Sequence, residues 1–172
     1  MGDCLNTGKP VINNRKMINT HMRSIQIEIH MQDLEIAKSR LNEENLTLSI
    51  VKNAEIIFES DSHGVSSLLE AIEKLEGASV ADRVVGKAIA LLCVYAKVKS
   101  VYASTLSEKA KATLKKYKVY HEWKNLVKKI LSVDKTETCP FEKLAMEISN
   151  PKEAYKKFKA LQNSSMCRDE TK

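Results

Sequence analysis

The chain has 172 residues, with 28 Lys and Arg against 22 Asp and Glu and a formal net charge of +6. One domain is expected at this length, and 43% apolar content with a mean hydropathy of −0.32 excludes a wholly disordered chain. Aromatic residues make up only 5%, so the core must come from Leu, Ile, Val and Ala, and the longest apolar run, Ala88 to Ala96, is too short to span a bilayer.

Residues 1–30 show no sustained period and read as a mobile extension; the alternation of Ile25, Ile27 and Ile29 offers a short edge strand instead. The compact domain is expected over 31–162, followed by a frayed tail at 163–172. Leu34, Ile36, Ala37 and Leu41 have helical spacing, giving a helix over 32–44. The alternating run 46–51 and the run 55–59, joined by a short polar link, predict an antiparallel hairpin. Val65, Leu68, Leu69, Ile72 and Leu75 then mark an amphipathic helix that Gly77 stops.

From Ala81 to Ala96 the chain is apolar on nearly all sides, which predicts one central helix buried on several faces. A short strand is expected over 98–103. Ser104 or Ser107 can cap the next helix, which turns Ala110, Leu114 and Tyr117 inward. Residues 119–123 read as a fourth strand, and 126–131, 141–148 and 151–161 as helices. Pro140 and Pro151 suit first helical positions. A hairpin followed by strands and helices in alternation implies a mixed sheet covered on both faces.

Three stretches carry a resemblance: Val80-Ala81-Asp82-Arg83-Val84-Val85-Gly86-Lys87-Ala88, Cys139-Pro140-Phe141-Glu142-Lys143-Leu144 and Asn150-Pro151-Lys152-Glu153-Ala154-Tyr155. With the order of elements, they make the chain resemble, from about Met31 to Leu161, a small prokaryotic family of unknown function. Its structural-genomics representative has a cytidine-deaminase-like fold. The resemblance implies an α/β protein, a three-layer α/β/α domain with a mixed sheet and extra C-terminal helices; it brings no established activity. Zinc deaminases place a His or Cys with a Glu at one helix start and Pro-Cys-x-x-Cys at the next. Here the expected helix starts carry Ala81-Asp82-Arg83 and Ser104-Thr105-Leu106-Ser107-Glu108, without thiol or imidazole. Neither a metal nor another cofactor is therefore expected.

Asp82, Gly86 and Lys87 open the expected central helix and suggest the floor of a pocket at the strand ends. Asp82 and Gly86 would share a helix face, and Lys87 would pair with an acid or an anionic ligand. The plainer alternative is a carboxylate on the helix dipole and a glycine that permits close packing. Gly86-Lys87 is not a phosphate loop, because Ala81 and Ala88 replace its Gly and Ser or Thr. Cys139 would cap the helix beginning at Pro140, where unpaired N–H groups favour a thiolate and make it the candidate catalytic residue. Alternatively, it merely caps, with Glu142 completing a capping box. Cys93 reads as core.

The histidines His21, His30, His63 and His121 lack paired spacing and read as surface or strand residues. Ten lysines between Lys97 and Lys129, interleaved with Tyr102, Tyr117, Tyr120 and Trp123, invite a nucleic-acid reading. They spread around their helix without arginine, so a solvated face is the reading instead. The four cysteines (Cys4, Cys93, Cys139 and Cys167) are too sparse for a secreted disulfide scaffold, and residues 1–24 lack an apolar leader core. A cytoplasmic protein is expected, with no membrane partner. Its start resembles a myristoylation signal but has Asn6 where Ser or Thr is required. Two functions follow: a small-ligand protein or enzyme with a pocket at Asp82, Gly86, Lys87, Cys139 and Glu142, or a non-catalytic module that forms homodimers.

Overall fold

Residues 48–52 and 55–60 pair as β1 (Leu48–Lys52) and β2 (Glu55–Ser60), the hairpin expected from their alternation. Its turn places Asn53 and Ala54 at φ of 54° and 63°, the left-handed pair of a two-residue type I′ turn. Ala54 carries a Cβ in a region that favours glycine, and outside help holds it there. Asp33, 1% exposed, accepts from the N–H groups of Asn53 (3.0 Å) and Ala54 (2.7 Å). The computed structural model describes residues 14–62, 64–131 and 139–169.

Asp33 lies on α1 (Asn14–Glu43), which starts well before the expected residue 32. Ile25, Ile27 and Ile29 are therefore helical, and no edge strand forms there. Ala37 and Leu41 pack the sheet-facing stripe of α1 against Val51 and Ala81, and Leu34 on the same helix is buried as well. Arg83 closes its far end by donating to the carbonyls of Leu41 and Leu46 and to Asn45 Oδ1.

The largest correction concerns 81–96. Instead of one helix, the chain forms β3 (Ser79–Val85), an extended Gly86, and α3 (Lys87–Tyr95). β3 reads as helix because it is buried on both faces and shows no polar alternation. It lies antiparallel to β1 and parallel to β4 (Ser100–Ser107), and β4 lies parallel to β5 (Tyr120–Val127). The sheet is therefore five-stranded and mixed, in the order β2-β1-β3-β4-β5.

Between them run α2 (Val65–Ala71), which tightens into a 3-10 turn at Ile72–Lys74, and α4 (Glu108–Lys116). Ser107, not Ser104, caps α4: its hydroxyl accepts from the Ala110 N–H at 3.1 Å. Tyr117, expected inward, is 37% exposed. Residues 126 and 127 extend β5, so the helix expected over 126–131 does not form. α5 (Pro140–Met146) and α6 (Pro151–Asp169) begin at their prolines, and α6 carries on through most of the stretch read as frayed.

Two cores result. The smaller lies between α1 and the sheet; the larger holds α3 among the sheet, α4, α5 and α6. Ala88 to Cys93 are all buried, which explains a helix with so little polar surface.

Candidate functional site

At the carboxyl end of β3 the chain turns through Gly86 (φ −90°, ψ 179°) into α3, whose first turn leaves backbone N–H groups without helical partners. In open α/β sheets this is where ligands sit, and helix N-termini attract anions. Here the anion belongs to the chain. Glu142, 3% exposed, accepts from the Lys87 N–H (2.9 Å, Oε1) and the Ala88 N–H (3.0 Å, Oε2). A Cβ built on Gly86 would lie 2.9 Å from the Glu142 carboxyl carbon and closer still to Oε2. Glycine is needed because the carboxylate lies against its backbone.

Lys87 returns the connection. Its Nζ donates to the carbonyl of Met146 at 3.1 Å, capping the C-terminus of α5. Burial lowers the Lys87 pKa; the nearby Lys109 charge adds to this and Glu142 opposes it. Lys109, in the first turn of α4, reaches Met146 Sδ at 2.8 Å. Phe141, meeting Phe158 edge-on at 5.9 Å, and the buried Ala145 complete the seating of α5. Glu142 on its first turn and Met146 at its end thus clasp α5 to the start of α3.

Asp82 stands apart from this clasp in its bonding. It lies on β3, not at a helix start, with Leu48 and Ala103 as its neighbours across the sheet. Its Oδ1 accepts from the Val84 N–H at 2.8 Å. Burial pushes the carboxyl up to about 7, against the lowering effect of that bond. Its charge in turn adds to the burial that raises the thiol of Cys93. Cys93 is the core residue expected from sequence.

Cys139 is the N-cap of α5, half-buried, and its side chain makes no cap bond. The capping box is absent because Glu142 turns away to α3. Lys87 bonds at Met146, the opposite end of α5. Sequence reasoning thus named Gly86, Lys87 and Glu142, which the fold brings together; Asp82 and Cys139 join them through no hydrogen bond described. It missed Met146 and Lys109. The spacing of four between Glu142 and Met146, one helical turn, was the available signal.

Among the described residues no group of three His, Cys, Asp or Glu is placed to hold a metal ion. No helix is long and apolar enough to cross a membrane. The aromatic and basic residues of the α4–β5 region meet one another: Lys111 Nζ lies 4.1 Å above Trp123, which stacks on His121 at 5.7 Å. A groove of about 470 Å³ opens at the far end of α3, between Glu73, Glu76, Lys97 and Lys152, beside the stacked rings of Tyr95 and Tyr155.

Residues 36–162 match the profile of a family described as a domain of unknown function, DUF1893. Among solved structures, a DUF1893 family protein from Thermotoga maritima superposes with a TM-score of 0.67 at 24% identity, covering 77% of this chain and 89% of that one. That likeness is one of fold. No curated protein matches the chain.

Proposed function

The chain belongs to the DUF1893 family, and from that premise we propose a non-catalytic binding module on a cytidine-deaminase-like scaffold. A hairpin leading into three parallel strands, with helices on both faces, supports the deaminase-like reading. One observation carries the functional reading. The α3 N-terminus at the strand ends, the natural seat for a ligand, already holds the Glu142 carboxylate, with no side chain at Gly86 to displace. A ligand entering there would have to break two charge-assisted hydrogen bonds and lift α5, whose other end Lys87 holds.

Zinc chemistry finds no support either. α3 opens with Gly86-Lys87-Ala88 and α4 with Ser107-Glu108, so neither helix start offers a thiol or imidazole. The free thiols of Cys93 and Cys139 fit a cytoplasmic protein. The reading that loses ground is the small-ligand site at Asp82, Gly86, Lys87, Cys139 and Glu142. Glu142 and Lys87 are taken up by the α3–α5 clasp, Asp82 by the Val84 N–H, and Cys139 makes no cap bond.

Thermal unfolding of the full chain against phosphate, nucleotides, sugar phosphates and zinc ion tests this. No saturable rise in melting temperature is expected, since a ligand that binds only the folded state must raise it. A saturable rise that disappears in Lys87→Met would restore the ligand-site reading.

A further inference from the structure

We infer that two copies of this chain associate about a twofold axis by antiparallel pairing of their β5 strands, joining the two sheets into one. This deepens the binding-module reading by giving it a surface and a partner.

β5 is the last strand of the sheet order, so among the described residues one side of its backbone has no strand beside it. Of the nine exposed large apolar side chains described, three lie on it, Tyr120, Trp123 and Leu126, and two more, Tyr117 and Leu131, lie within four residues of its ends in sequence. That concentration separates it from β2, the opposite edge, which carries only Ile56 of that set. A long edge strand with apolar side chains is a template for pairing with another chain.

The backbone fixes which registers are allowed. The Tyr120 N–H donates inward to the Lys99 carbonyl at 3.3 Å. The register with β4 then runs without a shift to Val127. Even-numbered residues therefore use their N–H and C=O on β4, while His121, Trp123 and Asn125 turn theirs outward. A symmetric antiparallel partner must set odd residues opposite odd ones as hydrogen-bonded pairs.

Charge selects among these registers. A twofold axis at residue 122 or 124 would oppose Glu122 to Glu122 or Lys124 to Lys124. An axis at Trp123 opposes Glu122 to Lys124 twice, and Tyr120 to Leu126 twice. These are non-hydrogen-bonded positions, where side chains approach most closely. His121 then faces Asn125, and Trp123 faces itself across the axis. Glu122 is held ready: it accepts from Lys38 Nζ at 3.0 Å and from the Tyr120 hydroxyl at 2.8 Å, and these bonds lower its pKa. Each carboxylate oxygen keeps a lone pair for the facing Lys124. The interface is isologous, so the assembly closes at two chains.

The test is the mass of the full chain in solution across a concentration series, read beside fluorescence of Trp123, the only tryptophan. The expected result is a species of twice 19.4 kDa, with Trp123 emission shifting to the blue as it forms. Lys124→Glu sets four carboxylates across the axis and should weaken association at least about tenfold, whereas Lys124→Arg should not. Asn125→Pro removes an outward N–H while sparing the inward ladder, a substitution edge strands tolerate. It should give a folded monomer by circular dichroism. A chain that stays at 19.4 kDa at its highest soluble concentration overturns the pairing, as does a dimer indifferent to both variants. Neither result touches the ligand titration that tests the binding-module reading.

Discussion

The Glu142 carboxylate occupies the space that a side chain at Gly86 would require, across 55 intervening residues of chain. Each residue explains the other: glycine leaves the opening, and the carboxylate satisfies the helix end that the opening exposes. Gly86→Ala should therefore destabilise the fold by about 1–3 kcal/mol, because Glu142 sits in a packed site and cannot retreat freely. Glu142→Ala should cost a similar amount by orphaning two buried N–H groups. In the double variant the two costs should overlap by about 1 kcal/mol or more, measured by urea denaturation. Simple addition of the costs would mean that the two residues are not coupled.

Asp82 sets a pH dependence. Its folded pKa, about 7, lies above the ordinary 3.8, so the folded state binds the proton more tightly than the unfolded one. That contribution is complete below about pH 4 and is lost as the pH rises through 7. Asp82→Asn keeps an oxygen to accept from the Val84 N–H and has no charge to bury. Its stability should exceed that of the native chain at pH 8, by about 1–3 kcal/mol, and the difference should vanish by pH 4. An unchanged gap between pH 4 and pH 8 would remove Asp82 as the cause.

Thiol labelling separates Cys139 from Cys93. In a chain with Cys4 and Cys167 changed to Ser, iodoacetamide should modify the half-buried Cys139 in the folded state. Cys93 should react only on unfolding, since burial removes it from solvent and raises its pKa. Lys87→Met should leave the Cys139 rate unchanged, because the Lys87 ammonium bonds at Met146. A marked change in that rate would tie Cys139 to Lys87 after all.

The boundary near residue 31 is testable by truncation. Among the described side chains of α1, Asp33 and Leu34 are the first that are buried, while Ile25 and Met31 are 41% and 51% exposed. A chain starting at Met31 should fold cooperatively, and limited proteolysis of the full chain should leave a core beginning close to it. Loss of the unfolding transition on truncation would place essential contacts earlier in α1.

Local chemistry was legible at several element boundaries. The hairpin followed from alternation at 46–51, the start of α4 from one of two candidate serines, Ser104 and Ser107, and the starts of α5 and α6 from Pro140 and Pro151. β3 was not legible, because a strand largely buried on both faces lacks the polar alternation of a half-buried strand, and Asp82 and Arg83 fall together rather than on alternate positions. Only Gly86 marks the break. The candidate site failed in a related way. Glu142 lies three residues after Cys139, which makes a local capping box the economical reading, and nothing in the spacing shows that its real partners are Lys87 and Ala88.

Asp33 gives the β1–β2 turn a consequence for the order of folding. Two successive left-handed residues, one of them an alanine, make the hairpin unfavourable by itself. The carboxylate that steadies the turn comes from a helix twenty residues earlier. The hairpin and the second half of α1 therefore support one another, and the expectation is that they form together in the transition state of folding. Removing the carboxylate with Asp33→Ala should slow folding more than it hastens unfolding, as kinetics across a denaturant series would record. β3 takes β1 as its antiparallel neighbour, so the strand on which the parallel half of the sheet is built lies against a hairpin whose turn one acid holds through two amides.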